Sequence, residues 1–241
     1  MKTKALTLLM PFLFVTFISL AGNATEMFGK DKKEERNVSD FTEISISVSA
    51  DVELRQGDEC KLVLEGDEDV LEKIETKVRG DELVIKSNRT FNFGWNEKIK
   101  IYITVKNIEE INVAGSADVV AKTGISAREI EFGISGSGKV HISELKATSI
   151  QASISGSGNV ELGGNETADE LELDISGSGK FEAEDLQIKQ ADIDISGSGK
   201  GYVHVVDMLN VEISGSGRVY YSGNPTINAD ISGSGKVRSA D

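Results

Sequence analysis

Ile134-Ser135-Gly136-Ser137-Gly138 decides how this chain is read, because the same five residues begin again at Ile154, Ile175, Ile195, Ile213 and Ile231. A degenerate copy, Val113-Ala114-Gly115-Ser116-Ala117, precedes them, and the steps between starts are 21, 20, 21, 20, 18 and 18 residues. Steps of that size and regularity are the coil lengths of a solenoid. Around each copy the residues alternate. Ile130, Phe132, Ile134, Gly136, Gly138, Val140 and Ile142 share one phase, and Ser, Glu and Lys fill the other. Period-2 alternation predicts strands with one face buried. Two glycines at successive inward positions predict a corner where the wall turns and no side chain fits. Repeating that corner stacks Gly on Gly and Ser on Ser at about 4.8 Å.

The expected fold is therefore all-β, a parallel β-helix or β-solenoid with coils of 18–21 residues. Each coil holds a strand, a corner, a second short strand such as 139–143 and a polar connection such as 144–148. Each contributes roughly five inward apolar side chains worth about 1.5–3 kcal/mol apiece when buried, so neighbouring coils stabilise one another and none stands alone. An open terminal coil pairs with other chains. The end after Ile231 is therefore expected to be covered by the N-terminal segment or by another subunit, giving a homo-oligomer through the C-terminal coil.

Residues 41–112 are strand-rich but less regular, and 113–241 hold the repeat, the two forming a single domain. Ser49-Ala50-Asp51-Val52 echoes Ser116-Ala117-Asp118-Val119 and reads as an early degenerate coil. A helical turn is expected over 67–74, and a turn at Gly80-Asp81 within 78–85. Residues 1–24 carry Lys2 and Lys4, an apolar run from Ala5 to Leu20 and small residues at the end. They read as a secretory signal peptide cut after Ala21 or Ala24, rather than as an anchor, since Pro11 interrupts a run short of the roughly 20 residues a span needs. Residues 25–40 include the mixed-charge cluster 30–37 and read as a solvated linker. No second apolar run reaches the length of a membrane span.

Composition narrows the function. A formal net charge of -14 argues against nucleic acid or an anionic membrane surface as the partner. The lone Cys60 makes no internal disulfide, so packing and hydrogen bonds must hold the domain. Gly133–Lys139 fits the start of a phosphate-binding loop, but Val140 stands where Ser or Thr belongs and the other copies lack the first Gly, so it reads as an accident of the repeat. Two outward rows are expected once coils stack: Asp174, Asp194, Glu212 and Asp230 in one, and Lys139, Lys180, Lys200, Arg218 and Lys236 in the other, broken by Asn159. They offer a place for calcium or an anionic glycan, although solvated faces, or pairing around the corner, are the plainer reading. His141 and His204 fit exposed wall positions better than a catalytic pair. Repeated acids indicate architecture, since a catalytic site is needed once. No catalytic residue, metal ligand or cofactor site is expected. The one distinctive apolar stretch is Phe91-Asn92-Phe93-Gly94-Trp95. Phe91, Phe93 and Trp95 are the candidate ligand contacts, against burial as a cap over the first coil.

The opening strand 41–54, the strand 98–105 and the Gly-Ser-Gly copies together resemble the bacterial family called putative auto-transporter adhesin, head GIN domain, over about residues 40 to 237. The resemblance implies a parallel β-helical, cell-envelope or secreted protein of a Gram-negative bacterium, commonly of the Bacteroides group. It supplies no catalytic residues. The expected function is an exported cell-surface or periplasmic adhesion module without catalysis, its partner a glycan or a host or cell-surface protein. The alternatives are a structural envelope protein with no ligand and, third, a polysaccharide-active β-helix enzyme.

Overall fold

Alternation along the chain becomes alternation in burial. In the strand Glu129–Gly136, Ile130, Phe132 and Ile134 are buried while Glu129, Glu131 and Ser135 are exposed. The computed structural model describes residues 31–88 and 99–240. Within them the copies lie in parallel register: Val113 beside Ile134, then Ile154, Ile175, Ile195, Ile213 and Ile231. The expected stacked β-solenoid is thus the observed fold.

The corner explains why the motif needs both glycines. The first, as at Gly136, has φ +128, and a Cβ built there would lie 2.7 Å from the Gly115 carbonyl oxygen of the coil below. A side chain is excluded by backbone above and below, and the conformation itself favours glycine. The second makes room for a neighbour: a Cβ on Gly158 would lie 2.2 Å from Cγ2 of Ile134. Hydrogen bonding continues through the bend, with Ser157 N–H donating to Gly136 O at 2.8 Å and Asn159 N–H to Gly138 O at 3.0 Å. These two backbone donors stay paired where the wall turns.

The connections are less polar than expected. Ile125–Ser126 pairs in parallel with Leu145–Lys146, making a third, narrow face, and Ile125, Leu145 and Leu186 are buried. Below it the side chain of Gln56 stands in for backbone, accepting from Ser126 N–H at 2.7 Å and donating to the Ser126 and Lys106 carbonyls at 3.0 Å. Inward rows compensate in size from coil to coil. Phe132 lies beside Ala152, which lies beside Leu173, and Phe181 lies beside Gly201.

The N-terminal section continues the sheet, but its order in space departs from its order in sequence. Glu43–Ser47 pairs on one side with Glu110–Gly115 and on the other with Glu82–Ser87. Ala50–Gln56 likewise lies between Asp118–Ala121 and Ile99–Val105. The early coil expected at 49–52 is thus present, with a later stretch of chain as its outer neighbour. Antiparallel strands finish this end. Ile74–Arg79 pairs with Glu82–Ser87 around Gly80, at φ +63, as the sequence indicated. Lys61–Gly66 pairs with Ile99–Val105. The expected helical turn is Glu68–Leu71, whose Val70 and Leu71 are buried.

The described part of the charged cluster is not a solvated linker. Lys32–Arg36 is a strand, antiparallel to Lys61–Gly66. Its backbone ladder docks it, and its charges add to that: Lys33 reaches Glu65 at 3.0 Å, Lys61 reaches Glu35 at 3.2 Å, and Arg36 donates to the Leu71 carbonyl at 2.9 Å. A short charged strand also blunts the sheet edge against foreign pairing. At the other end Thr226–Gly233 is exposed along its length, and Ile227 and Ile231 are 38% and 39% exposed. The described part of the N-terminal segment lies at the opposite end against Lys61–Gly66, so it does not cover this coil.

Candidate functional site

Two polar walls flank the Ser-Gly-Ser-Gly corners, and the register builds both. On the strand before each corner, Asp174, Asp194, Glu212 and Asp230 are neighbours in one row. Burial, with the Asp174 and Asp192 carboxylates beside it, raises the pKa of Asp194 above the ordinary aspartate value. On the strand after each corner, Lys139, Asn159, Lys180, Lys200, Arg218 and Lys236 form the opposite row. The two rows do not pair across the corner: among the described residues Lys180 bonds instead to Glu182 on its own strand, at 2.5 Å.

A second outward row on the basic wall was not singled out from sequence. It runs through Glu161, Glu182, Tyr202, Tyr220 and Arg238. The rings of Tyr202 and Tyr220 stack with centroids 4.9 Å apart and 14° between planes, and Lys180 Nζ sits 5.0 Å from the Tyr202 centroid. A signal existed: the two tyrosines are 18 residues apart, which is the local coil length.

A third feature, also missed, is an acidic cleft of about 790 Å³ where the N-terminal section meets the repeat, lined in part by Glu43, Glu109, Glu110, Glu129 and Glu131. Glu43 has a raised pKa, first because it is desolvated and then because the Glu110 and Glu82 carboxylates are near. Its folded form therefore binds a proton more readily than the unfolded chain, so this group adds stability at low pH and loses it as pH rises through the raised pKa. Glu43→Gln is expected to melt above the wild type near pH 7, with the gap narrowing as pH falls through the raised pKa and gone below the ordinary glutamate value of about 4.5. A pH-independent gap would show that the charge is not the cause.

The remaining candidates separate. Phe91, Phe93 and Trp95 lie outside the described residues. His141 Nδ1 is 3.1 Å from Glu161 on the outward wall. His204 pairs with Ser222 in another row, so the histidines form no pair of their own. Cys60 is half-buried, its Sγ 3.7 Å from the Phe41 carbonyl oxygen. In the Gly133–Lys139 segment, Ser137 and Lys139 spend their N–H groups at 2.9 Å on the carbonyls of Gly115 and Ala117. Among the described residues no group of three His, Cys, Asp or Glu side chains is placed to hold a metal ion. Nor is any described helix long and apolar enough to cross a membrane.

Solved structures share this architecture. A putative adhesin from Bacteroides fragilis NCTC 9343 superposes with a TM-score of 0.80 at 23% identity, over 87% of this chain and 97% of its own. A putative lipid binding protein from Parabacteroides distasonis ATCC 8503 gives 0.73 at 27% identity, over 88% and 98%. A putative adhesin from Parabacteroides merdae ATCC 43184 gives 0.71 at 20% identity, over 88% and 97%. No protein in the curated set matches the chain. Residues 40–225, carrying the early coil and all but the last Gly-Ser-Gly copy, match the putative auto-transporter adhesin, head GIN domain, and the chain belongs to that family.

Proposed function

We propose that this chain is an exported adhesion or binding module of the cell surface or periplasm, without catalytic activity, that engages a glycan or a surface protein. One observation carries the reading: its polar side chains recur as rows along rigid walls, whereas catalysis requires a single convergent set. Rows held on parallel strands lose little entropy on binding, because the backbone beneath them is already ordered. Membership of an adhesin-described family supports the same reading, as does the N-terminal stretch with the pattern of a secretory signal.

The purified full chain is expected to bind saturably to at least one ligand on glycan arrays or immobilised matrix proteins, with no release of reducing ends from polysaccharide. Comparison with Trp95→Ala locates the contact: weakened binding assigns it to the aromatic stretch, and unchanged binding to the walls. Absence of binding by both proteins would leave the structural reading, and turnover of a polysaccharide would restore the enzyme. The structural reading draws on the exposed Ile227 and Ile231 of the last coil, which suit a second copy. A strictly monomeric mass by light scattering of the same preparation removes that assembly.

A further inference from the structure

We infer that the wall after the corners, over the last coils, is a binding site for an extended acidic polysaccharide. Lys180, Lys200, Arg218, Lys236 and Arg238 would hold it, with the phenols of Tyr202 and Tyr220 between them. The inference rests on the binding-module reading and names the ligand class and the wall.

Charge carries the first step. The chain has 40 acidic residues against 26 basic ones, yet four cations follow one another here in register, Lys180 to Lys200 to Arg218 to Lys236, at about 4.8 Å per coil. Elsewhere cations stacked on neighbouring coils find carboxylates, as Lys146 does with Glu166 at 2.7 Å and Lys189 with Asp169 at 2.6 Å. Lys180, at the end of the row, is paired with Glu182 on its own strand, but Lys200, Arg218, Lys236 and Arg238 make no ion pair among the described residues. Like charges on facing strand positions destabilise a sheet, and a bound polyanion reverses the sign of that contribution.

The tyrosines supply the second step. Their stack, with Lys180 against one end and Arg238 next in the row, fixes two half-buried rings at the coil spacing. Tyr102, at the far end of the solenoid, gives its hydroxyl to Glu65 at 2.6 Å, whereas the hydroxyls of Tyr202 and Tyr220 have no partner among the described residues. A pair of ordered hydroxyls beside a line of cations matches a chain that alternates anionic groups with sugar hydroxyls.

Shape selects among polyanions. The positive stripe is straight and narrow, with Glu161 and Glu182 beside it and the Asp174, Asp194, Glu212 and Asp230 row around the corner. A thin linear chain laid along the axis meets cations at every step. A flat anionic bilayer or a nucleic-acid duplex would press against the flanking carboxylates.

Calorimetric titration of the full chain tests this with heparin as a sulfated probe, polygalacturonate as a carboxylated probe and dextran as a neutral one. Both acidic probes are expected to bind, more weakly as salt is raised, and dextran is not. The triple variant Lys200→Glu, Arg218→Glu, Lys236→Glu is expected to lose affinity about a hundredfold or more, while Lys77→Glu at the opposite end does not. Tyr202→Phe with Tyr220→Phe keeps the stack and is expected to weaken binding several-fold. Thermal melts confirm that each variant is folded. Wild-type affinity in the folded triple variant would overturn the site. Equal or tighter binding of phosphatidylglycerol vesicles or of polyuridylate would overturn the choice of polysaccharide. Adhesion that survives in the triple variant, with neither acidic probe bound by the wild type, sinks this inference and leaves the adhesion reading standing.

Discussion

Gly156→Ala is expected to destabilise the domain by about 3 kcal/mol or more, a large effect for the addition of one methyl group. Two costs combine. The residue sits at φ +120, where an L side chain is strained by about 1–3 kcal/mol. Its new Cβ would also lie 2.6 Å from the carbonyl oxygen of Gly136. That oxygen already accepts from Ser157 N–H at 2.8 Å, so moving it away disturbs the ladder between two coils. Gly80→Ala separates the terms, since Gly80 has φ +63 but nothing within 4 Å of a built Cβ. About 1 kcal/mol is expected there. Urea titration of both variants reads the difference, and equal losses would refute the steric part of the corner account.

Phe132→Ala is expected to cost about 3–5 kcal/mol, the range for emptying a fully buried aromatic position. Phe132 is 0% exposed and stands in an inward row between Ile111 and Ala152. With alanine on one side, only Ile111 borders the space from the same row, so most of the cavity persists. At roughly 2–4 °C per kcal/mol for a domain of this size, the melting point should fall by roughly 6 °C or more. Ala152→Phe, which overfills the same row from the next coil, should partly rescue Phe132→Ala. A double variant no better than the single one would show that the two positions do not share volume.

Where the sequence repeats, its meaning was open to reading, because stacking makes each residue's environment equal to its neighbours' and a single rule covers all copies. Phase, corner and the two outward rows followed from that rule. What depended on one non-repeating contact did not. Lys32–Arg36 carries no alternation of apolar residues, and it pairs with one particular strand, Lys61–Gly66, which lies far along the chain. The acidic cleft is likewise assembled from four separate stretches, around Glu43, Glu110, Glu129 and Gln151. The tyrosine stack lay within reach of the repeat rule, but Tyr202 and Tyr220 occupy only two coils, so they break the pattern rather than announce it.

The placement of Glu43–Gln56 between two stretches made after it has a bearing on when this molecule can fold. A chain delivered from its amino end presents that winding first, yet neither of its flanks is closed until Val105 and Ala121 have followed. Growth therefore cannot proceed by simple addition from the first winding onward. The earliest segment waits, and about half the polypeptide must be through any narrow conduit before the stack has a seed.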